Sequence, residues 1–254
     1  MSHEIRTPIN AIMGMNEMIL RESKDESMKE YAVSIRNASR TLLSLINDIL
    51  DLSKIEAGKM EIVEDYYKLS AVLNDVVNMV QVKTEQSHLE FSVEVEQSLP
   101  DSLFGDEVRI RQVVVNILDN AVKYTKTGSV KLFVQGERTQ EDTVILKFII
   151  RDTGIGIRKE DMDKLFGAFE RLDQKANHNV QGTGLGLSIT SKMLSLMNGR
   201  MEIDSVYGEG STFTLYIPQK VTDQECVGDF EAKYHEYVQS MQTYQESFEA
   251  PQAK

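Results

Sequence analysis

A single cysteine, Cys226, stands in 254 residues, so no internal disulfide can form and no cysteine set can hold zinc. The chain is accordingly expected to belong to a reducing, cytoplasmic setting. Long apolar runs are missing too. The longest, Val144 to Ile150, is broken by Lys147 and falls far short of the roughly 20 residues that cross a bilayer. The opening residues carry no basic and apolar leader, so no membrane contact is expected of this stretch, whatever anchor a parent protein carries. Positive charge is scarce: 28 Lys plus Arg face 40 Asp plus Glu, a net charge of -12. Such a surface repels nucleic-acid phosphates, which argues against DNA or RNA as a partner. No P-loop, no G-x-G-x-x-G fingerprint and no repeat of 20 to 50 residues occurs.

What is present divides into blocks. Tyr31, Ile35, Ala38, Leu42, Leu45, Ile49 and Leu52 step by four and three, a heptad seam. Leu43, Ile46 and Leu50 widen it, so the helix should pack on more than one neighbour. Ile5, Ile9, Ile12 and Ile19 mark an antiparallel partner helix, joined through polar Ser23 to Ser27, and Gly58 is placed to end the second helix. The expected organisation is a hairpin over 1–60 and a linker over 61–68. A mixed unit over 69–218 and a tail over 219–254 follow.

Within 69–218, helices are predicted at Leu69 to Thr84, Val108 to Tyr124 and Gly186 to Met197. Strands are predicted at Leu89 to Val95, Val130 to Gln135, Val144 to Arg151, Arg200 to Asp204 and Ser211 to Ile217. Strands in hairpins, with helices on one face, describe an α/β sandwich. The tail carries an aromatic stripe, Phe230, Tyr234, Tyr237, Met241, Tyr244 and Phe248, which predicts a helix docked on the body.

Four segments carry chemistry. In Ser2 to Pro8, neutral His3 has a ring lone pair able to attack phosphorus. Adjacent Glu4 can orient the ring or take its proton, and Thr7 lies one turn on along the same face. Pro8 deprives the Glu4 carbonyl of its helical partner, so a bend is expected after the histidine. In Arg111 to Thr125, Asn116 and Asn120 sit one turn apart, and amide oxygens suit Mg²⁺. Lys123 adds a cation and Tyr124 a ring. Asp152 ends a strand and precedes Gly154 and Gly156, so a carboxylate and bare backbone meet a ligand together. Gly182, Gly184 and Gly186 open a helix whose N–H groups can hold an anion.

Taken in this order and spacing, with Leu165 to Arg171 as a fifth segment between the last two, they resemble the H, N, G1, F and G2 boxes of sensor histidine kinases, hybrid members included. The resemblance spans Ser2 to about Ile217. It implies an α+β chain: a helical hairpin forming a dimeric four-helix bundle, then a two-layer sandwich of the GHKL (Bergerat) ATPase type with a helical tail. It implies ATP and Mg²⁺ as cofactors, a homodimer, and a receiver domain, fused or separate, whose aspartate takes the phosphate. His3 would be the phosphoacceptor, Glu4 its base, and Thr7 would position water for dephosphorylating a receiver. Asn116 and Asn120 would hold the metal, Asn120 the more firmly, and Lys123 and Tyr124 would meet phosphate and base. Asp152, Gly154, Gly156 and Ile157 would read adenine. Arg171, from the F box, would approach the γ-phosphate, with Gly167 standing where many members carry Glu. Gly182, Thr183, Gly184, Leu185, Gly186 and Leu187 would close over the triphosphate, and polar Lys175 to Gln181 would be a lid. An opening at Met1-Ser2-His3 implies a piece of a longer protein. Competing readings are a receiver phosphatase with weak kinase activity, a nucleotide-gated dimerisation ATPase of the gyrase/MutL type, and a helical adaptor.

Overall fold

The structure, a computed structural model, describes residues 2–140, 142–165, 167 and 184–236, with the backbone alone at 2–4, 140 and 163. Helix α1 spans Ser2–Glu22, with Pro8 inside it, and α2 spans Glu26–Glu56. The Asp25 carboxylate accepts from the Ser27 N–H at 2.9 Å, which caps α2. At the other end Gly58 takes φ +64°. Its N–H donates to the Ile55 carbonyl and that of Lys59 to Lys54, a Schellman closure that a side chain would strain.

The contact between the two helices differs from the seam read in the sequence. Ala32 and Ser39 are buried and Leu43, Ile46 and Leu50 half-buried, and these face the hairpin partner. Small residues at 32 and 39 let the backbones close in, and buried Asn16 donates its Nδ2–H to the Ala32 carbonyl at 2.6 Å. The stripe through Tyr31, Ile35, Leu42 and Ile49 lies one position over and is between 44% and 66% exposed. Two heptad stripes therefore run side by side on α2, one used within the chain and one left on its surface.

The remaining elements are β1 (Asp65–Lys68), α3 (Leu69–Gln86), β2 (Glu90–Val95), β3 (Ser102–Gly105) and α4 (Glu107–Tyr124). Then come β4 (Ser129–Gln140), β5 (Thr143–Asp152), α5 (Gly186–Leu196), β6 (Arg200–Val206) and β7 (Gly210–Val221). The sheet runs β1-β3-β7-β5-β4-β2, with β6 on the first half of β7. Among the described strands only β2 and β4 pair in parallel. Strand β1 falls within 61–68, the stretch read as linker, and pairs with β3.

Alternation along β5 puts Val144, Leu146, Phe148 and Ile150 inward. They meet Val72, Val76 and Val80 of α3, Ile110, Val114 and Ile117 of α4, and Ile189 and Met193 of α5 in one core. Residues 230–236 are helical and lie against α3. Phe230 is buried, and the Tyr234 hydroxyl lies 2.8 Å from Asn78 Oδ1 and 3.0 Å from Gln81 Oε1. The end of α2 docks on the sandwich. Leu52 is buried there, the Gln112 amide donates to Asp51 at 3.0 Å, and Lys192 pairs with Glu56 at 3.0 Å.

Candidate functional site

Helix α4 starts where the Asp106 carboxylate accepts from the Arg109 N–H at 3.0 Å. Its apolar face, Ile110, Val113, Val114, Ile117, Leu118 and Ala121, is buried. Helical spacing then puts Asn116, Asn120 and Lys123 together on another face. Asn116 is engaged: its Nδ2 donates to the Gly186 carbonyl at 2.9 Å and to Thr190 Oγ1 at 2.6 Å. This ties α4 to the first turn of α5. A Cβ on Gly186 would come within 2.8 Å of Asn116 Oδ1, so the close approach requires glycine. The half-buried Asn120 side chain has no hydrogen bond to any described residue. The Lys123 ammonium lies 4.9 Å from the Tyr124 ring centroid, a cation–π contact.

The end of α4 is joined to the loop after β5. Ile155 N–H donates to the Tyr124 carbonyl, and Gly154 packs so closely there that a Cβ would sit 2.5 Å from that oxygen. Asp152 is buried at the strand end, and its Oδ1 accepts from the Gly154 N–H at 2.8 Å. Burial pushes the Asp152 carboxyl above its usual range, while the Gly154 and Ser211 N–H groups pull it back. Gly156 takes φ +65°, and a Cβ there would lie 2.1 Å from the Val206 carbonyl oxygen. Beyond the loop, Leu185, Gly186 and Leu187 form the start of α5, where the first-turn N–H groups and the helix dipole favour an anion.

The structure thus brings together Asn116, Asn120, Lys123, Tyr124, Asp152, Gly154, Gly156, Ile157 and Gly184 to Leu187. Arg171, Gly182 and Thr183 lie outside the described residues, as do Phe166, Phe169 and the stretch Lys175 to Gln181. His3 and Glu4 lie in the first turn of α1. Arg6 in the next turn donates to Asn47 of α2 at 3.2 Å, which puts this end of α1 beside the end of α2 that docks on α4 and α5. Exposed Thr7 lies on the same turn. A cleft of about 390 Å³ opens between α2 and α4/α5, bordered by Asp48, Gln112, Asn116, Asp119, Gly186 and Thr190. Sequence reading missed Thr190, Ser205 and Ser211, each a plain hydroxyl in a regular element with no local signal.

A sandwich with a helix start suited to an anion, a buried carboxylate beside bare glycine backbone and amides on the neighbouring helix defines a nucleotide-binding ATPase domain, here carried behind a helical hairpin. Residues 105–221 match the family of histidine kinase-, DNA gyrase B- and HSP90-like ATPases. Residues 1–58 match the His Kinase A (phospho-acceptor) domain. Hybrid signal transduction histidine kinase B of Dictyostelium discoideum is 37% identical over 217 residues, covering 85% of this chain and 11% of that protein. BarA of Escherichia coli K12, a signal transduction histidine-protein kinase, is 35% identical over 217 residues, covering 85% and 24%. The sensor histidine kinase GacS of Pseudomonas protegens is 37% identical over 227 residues, covering 89% and 25%. Full-length ShkA, crystallised in complex with AMPPNP, superposes with a TM-score of 0.71 at 28% identity, covering 87% of this chain and 45% of that one. The chain belongs to the histidine kinases and comprises their catalytic core. It spans a quarter or less of the length of these curated relatives. No helix among the described residues is long and apolar enough to cross a membrane.

Proposed function

We propose that this chain is an ATP-dependent protein-histidine kinase that phosphorylates its own His3 and passes the phosphate to an aspartate of a receiver domain. The observation that carries the reading is the Asp152 loop, the α4 amides and the α5 start set around one site, with the hairpin end that bears His3 docked alongside. Asp152 accepts from the exocyclic amine of adenine, and the backbone of Gly154, Gly156 and Ile157 walls the base. The α5 N-terminus and Lys123 neutralise the phosphates. The Asn116 and Asn120 amide oxygens suit Mg²⁺, a hard cation that takes oxygen ligands. Asn120, with no described hydrogen bond to give up, is the better placed. When bound, the ion offsets phosphate charge.

A neutral ring nitrogen of His3 attacks the γ-phosphorus in line. An N–P bond forms as the P–O bond to ADP breaks, and Glu4 takes the ring proton. Thr7 positions water for dephosphorylating the phosphorylated receiver, a hydrolysis that releases inorganic phosphate. Binding and orientation do most of the work, since the transition state needs placement and charge more than covalent help. The exposed stripe of α2 supports a homodimer: Tyr31, Ile35, Leu42 and Ile49 in water are the surface a four-helix bundle buries. Hybrid relatives support a receiver as partner. Incubation with γ-labelled ATP should give acid-labile label on the wild-type chain and none on His3→Gln. Label retained in His3→Gln refutes the assignment, and ATP turnover with no protein-bound label points to a dimerisation ATPase.

A further inference from the structure

The β6–β7 hairpin grips the Asp152 loop at three places. Gly208, at φ +91°, donates its N–H to the Ile155 carbonyl at 2.8 Å. Gly210 lies so close to the Asp152 backbone that a Cβ would stand 2.1 Å from its oxygen. The third contact uses a side chain. Ile157 donates its N–H to Ser205 Oγ at 2.8 Å, Ser205 lies 2.9 Å from the Gly210 carbonyl, and Ser211 Oγ is 3.0 Å away. A serine hydroxyl has one proton and two acceptor positions. The Gly210 carbonyl can only accept and the Ile157 N–H can only donate, so the Ser205 proton points to Gly210 and the Ser211 hydroxyl donates to Ser205. All three positions are filled, and the rotor has one orientation left.

We propose that Ser205 is a positioning residue for the nucleotide base: its saturated hydroxyl fixes the backbone of Ile157 in the loop that follows Asp152. This rests on the reading of the Asp152 loop as the adenine site and extends it to a residue two strands removed. With alanine at 205 the Ile157 N–H loses its partner and the loop widens. Adenine, held by Asp152 and by the backbone of the loop that follows it, feels the change. Guanine presents a carbonyl where adenine has its amine, so GTP gains nothing from Asp152 and is held by its phosphates alone.

The test is equilibrium binding of ATP and GTP to the full chain and to its Ser205→Ala, Ser205→Thr and Asp152→Asn variants, with thermal unfolding in the absence of nucleotide. Ser205→Ala should weaken ATP about 3- to 10-fold, the loss of one hydrogen bond, with GTP affinity unmoved, so selectivity narrows by the same factor. Ser205→Thr keeps the hydroxyl on the same strand and should restore ATP binding. Unchanged ATP affinity in Ser205→Ala, equal losses for both nucleotides, or no recovery with threonine overturns the proposal. If Asp152→Asn loses ATP affinity while Ser205→Ala does not, the brace alone is wrong. If neither loses it, the base site itself is misplaced.

Discussion

Replacing Asp152 by asparagine separates what this carboxylate does for binding from what it does to stability. In the structure Oδ1 accepts from the Gly154 N–H at 2.8 Å, and the Ser211 N–H also donates to the carboxylate. Adenine would bring a further N–H. Asparagine has one oxygen and one NH₂ in place of two acceptors, so whichever way it turns, one donor meets a donor. An unsatisfied buried donor costs about 1–3 kcal/mol, or roughly 5- to 150-fold in ATP affinity. Stability should move the other way. Burial raises the folded-state carboxyl above its ordinary 3.8, so the folded chain holds the proton better than the unfolded one. The stabilisation is complete below 3.8 and is lost as pH climbs through the raised folded value, leaving the ionised, buried group as a burden at neutral pH. With its oxygen kept on the Gly154 and Ser211 N–H groups and its NH₂ turned to where the adenine amine would come, Asp152→Asn should therefore unfold, without nucleotide, at or above the wild-type temperature at pH 7, and should lack the decline that an Asp152 with a raised carboxyl contributes on going upward from pH 4. Calorimetric titration with ATP and thermal unfolding across that range measure both. Undiminished ATP affinity, or a marked fall in unfolding temperature at pH 7, would refute the reasoning.

Other substitutions probe the remaining parts. Asn116→Ala should cost about 1–3 kcal/mol of stability, because its amide joins Gly186 and Thr190, whereas Asn120→Ala should abolish autophosphorylation with little change in urea unfolding. Equal stability losses for the two would overturn the distinction. Gly156→Ala puts a Cβ 2.1 Å from the Val206 oxygen at φ +65°, so ATP binding should fall more than tenfold; full retention would show that the loop shifts without harm. Leu42→Glu, on the exposed stripe, should shift the chain from dimer to monomer in sedimentation with its helicity kept, and a persisting dimer would place the interface elsewhere. Phe230→Ala, from a site 5% exposed, should cost about 3 kcal/mol in unfolding, where a detached tail would show no effect.

Longer elements were legible because each is periodic over many residues. Helices α3, α4 and α5 and strand β5 emerge within two residues of where periodicity puts them, whereas β4 and β7 run on past their expected ends to Gln140 and Val221. Strands β1 and β3, four residues each, are too short for alternation to register. They exist because each other's edge and β7 supply partners distant in sequence. The α2 seam shows a subtler limit. Leu42, Leu45 and Ile49 are as apolar as Leu43, Ile46 and Leu50, so periodicity identifies both stripes; only small Ala32 and Ser39 and the Asn16 hydrogen bond decide which one α1 takes. At the site, segments whose chemistry is local were readable: an amide pair one helical turn apart, a carboxylate before two glycines, a glycine-led helix start. Contacts between distant segments were not. That Asn116 ties α4 to α5, or that Ser205 reaches the Asp152 loop, depends on sheet register, which no single stretch encodes.

The contact that holds the hairpin on the sandwich is weaker than the packing inside the sandwich, and the difference bears on how phosphate could pass. Within the sandwich, three helices bury a continuous apolar face against the sheet, an interface of the kind that separates only on unfolding. The α2 docking is slighter: Leu52 and the edge of Ile55 meet the core, flanked by Gln112 to Asp51 and the exposed pair Lys192 and Glu56. An exposed ion pair is worth about 0–1 kcal/mol and a neutral-to-charged hydrogen bond about 1.5–3. With one buried leucine added at roughly 2 kcal/mol, the sum is a few kcal/mol before the entropy of holding two bodies together is subtracted. That leaves a contact that can open and close on the timescale of domain motions. In the proposed mechanism the acceptor rides on one body and the nucleotide on the other, which calls for such a contact, since a dock as tight as the sandwich core would hold His3 at one fixed distance from the phosphate through every step.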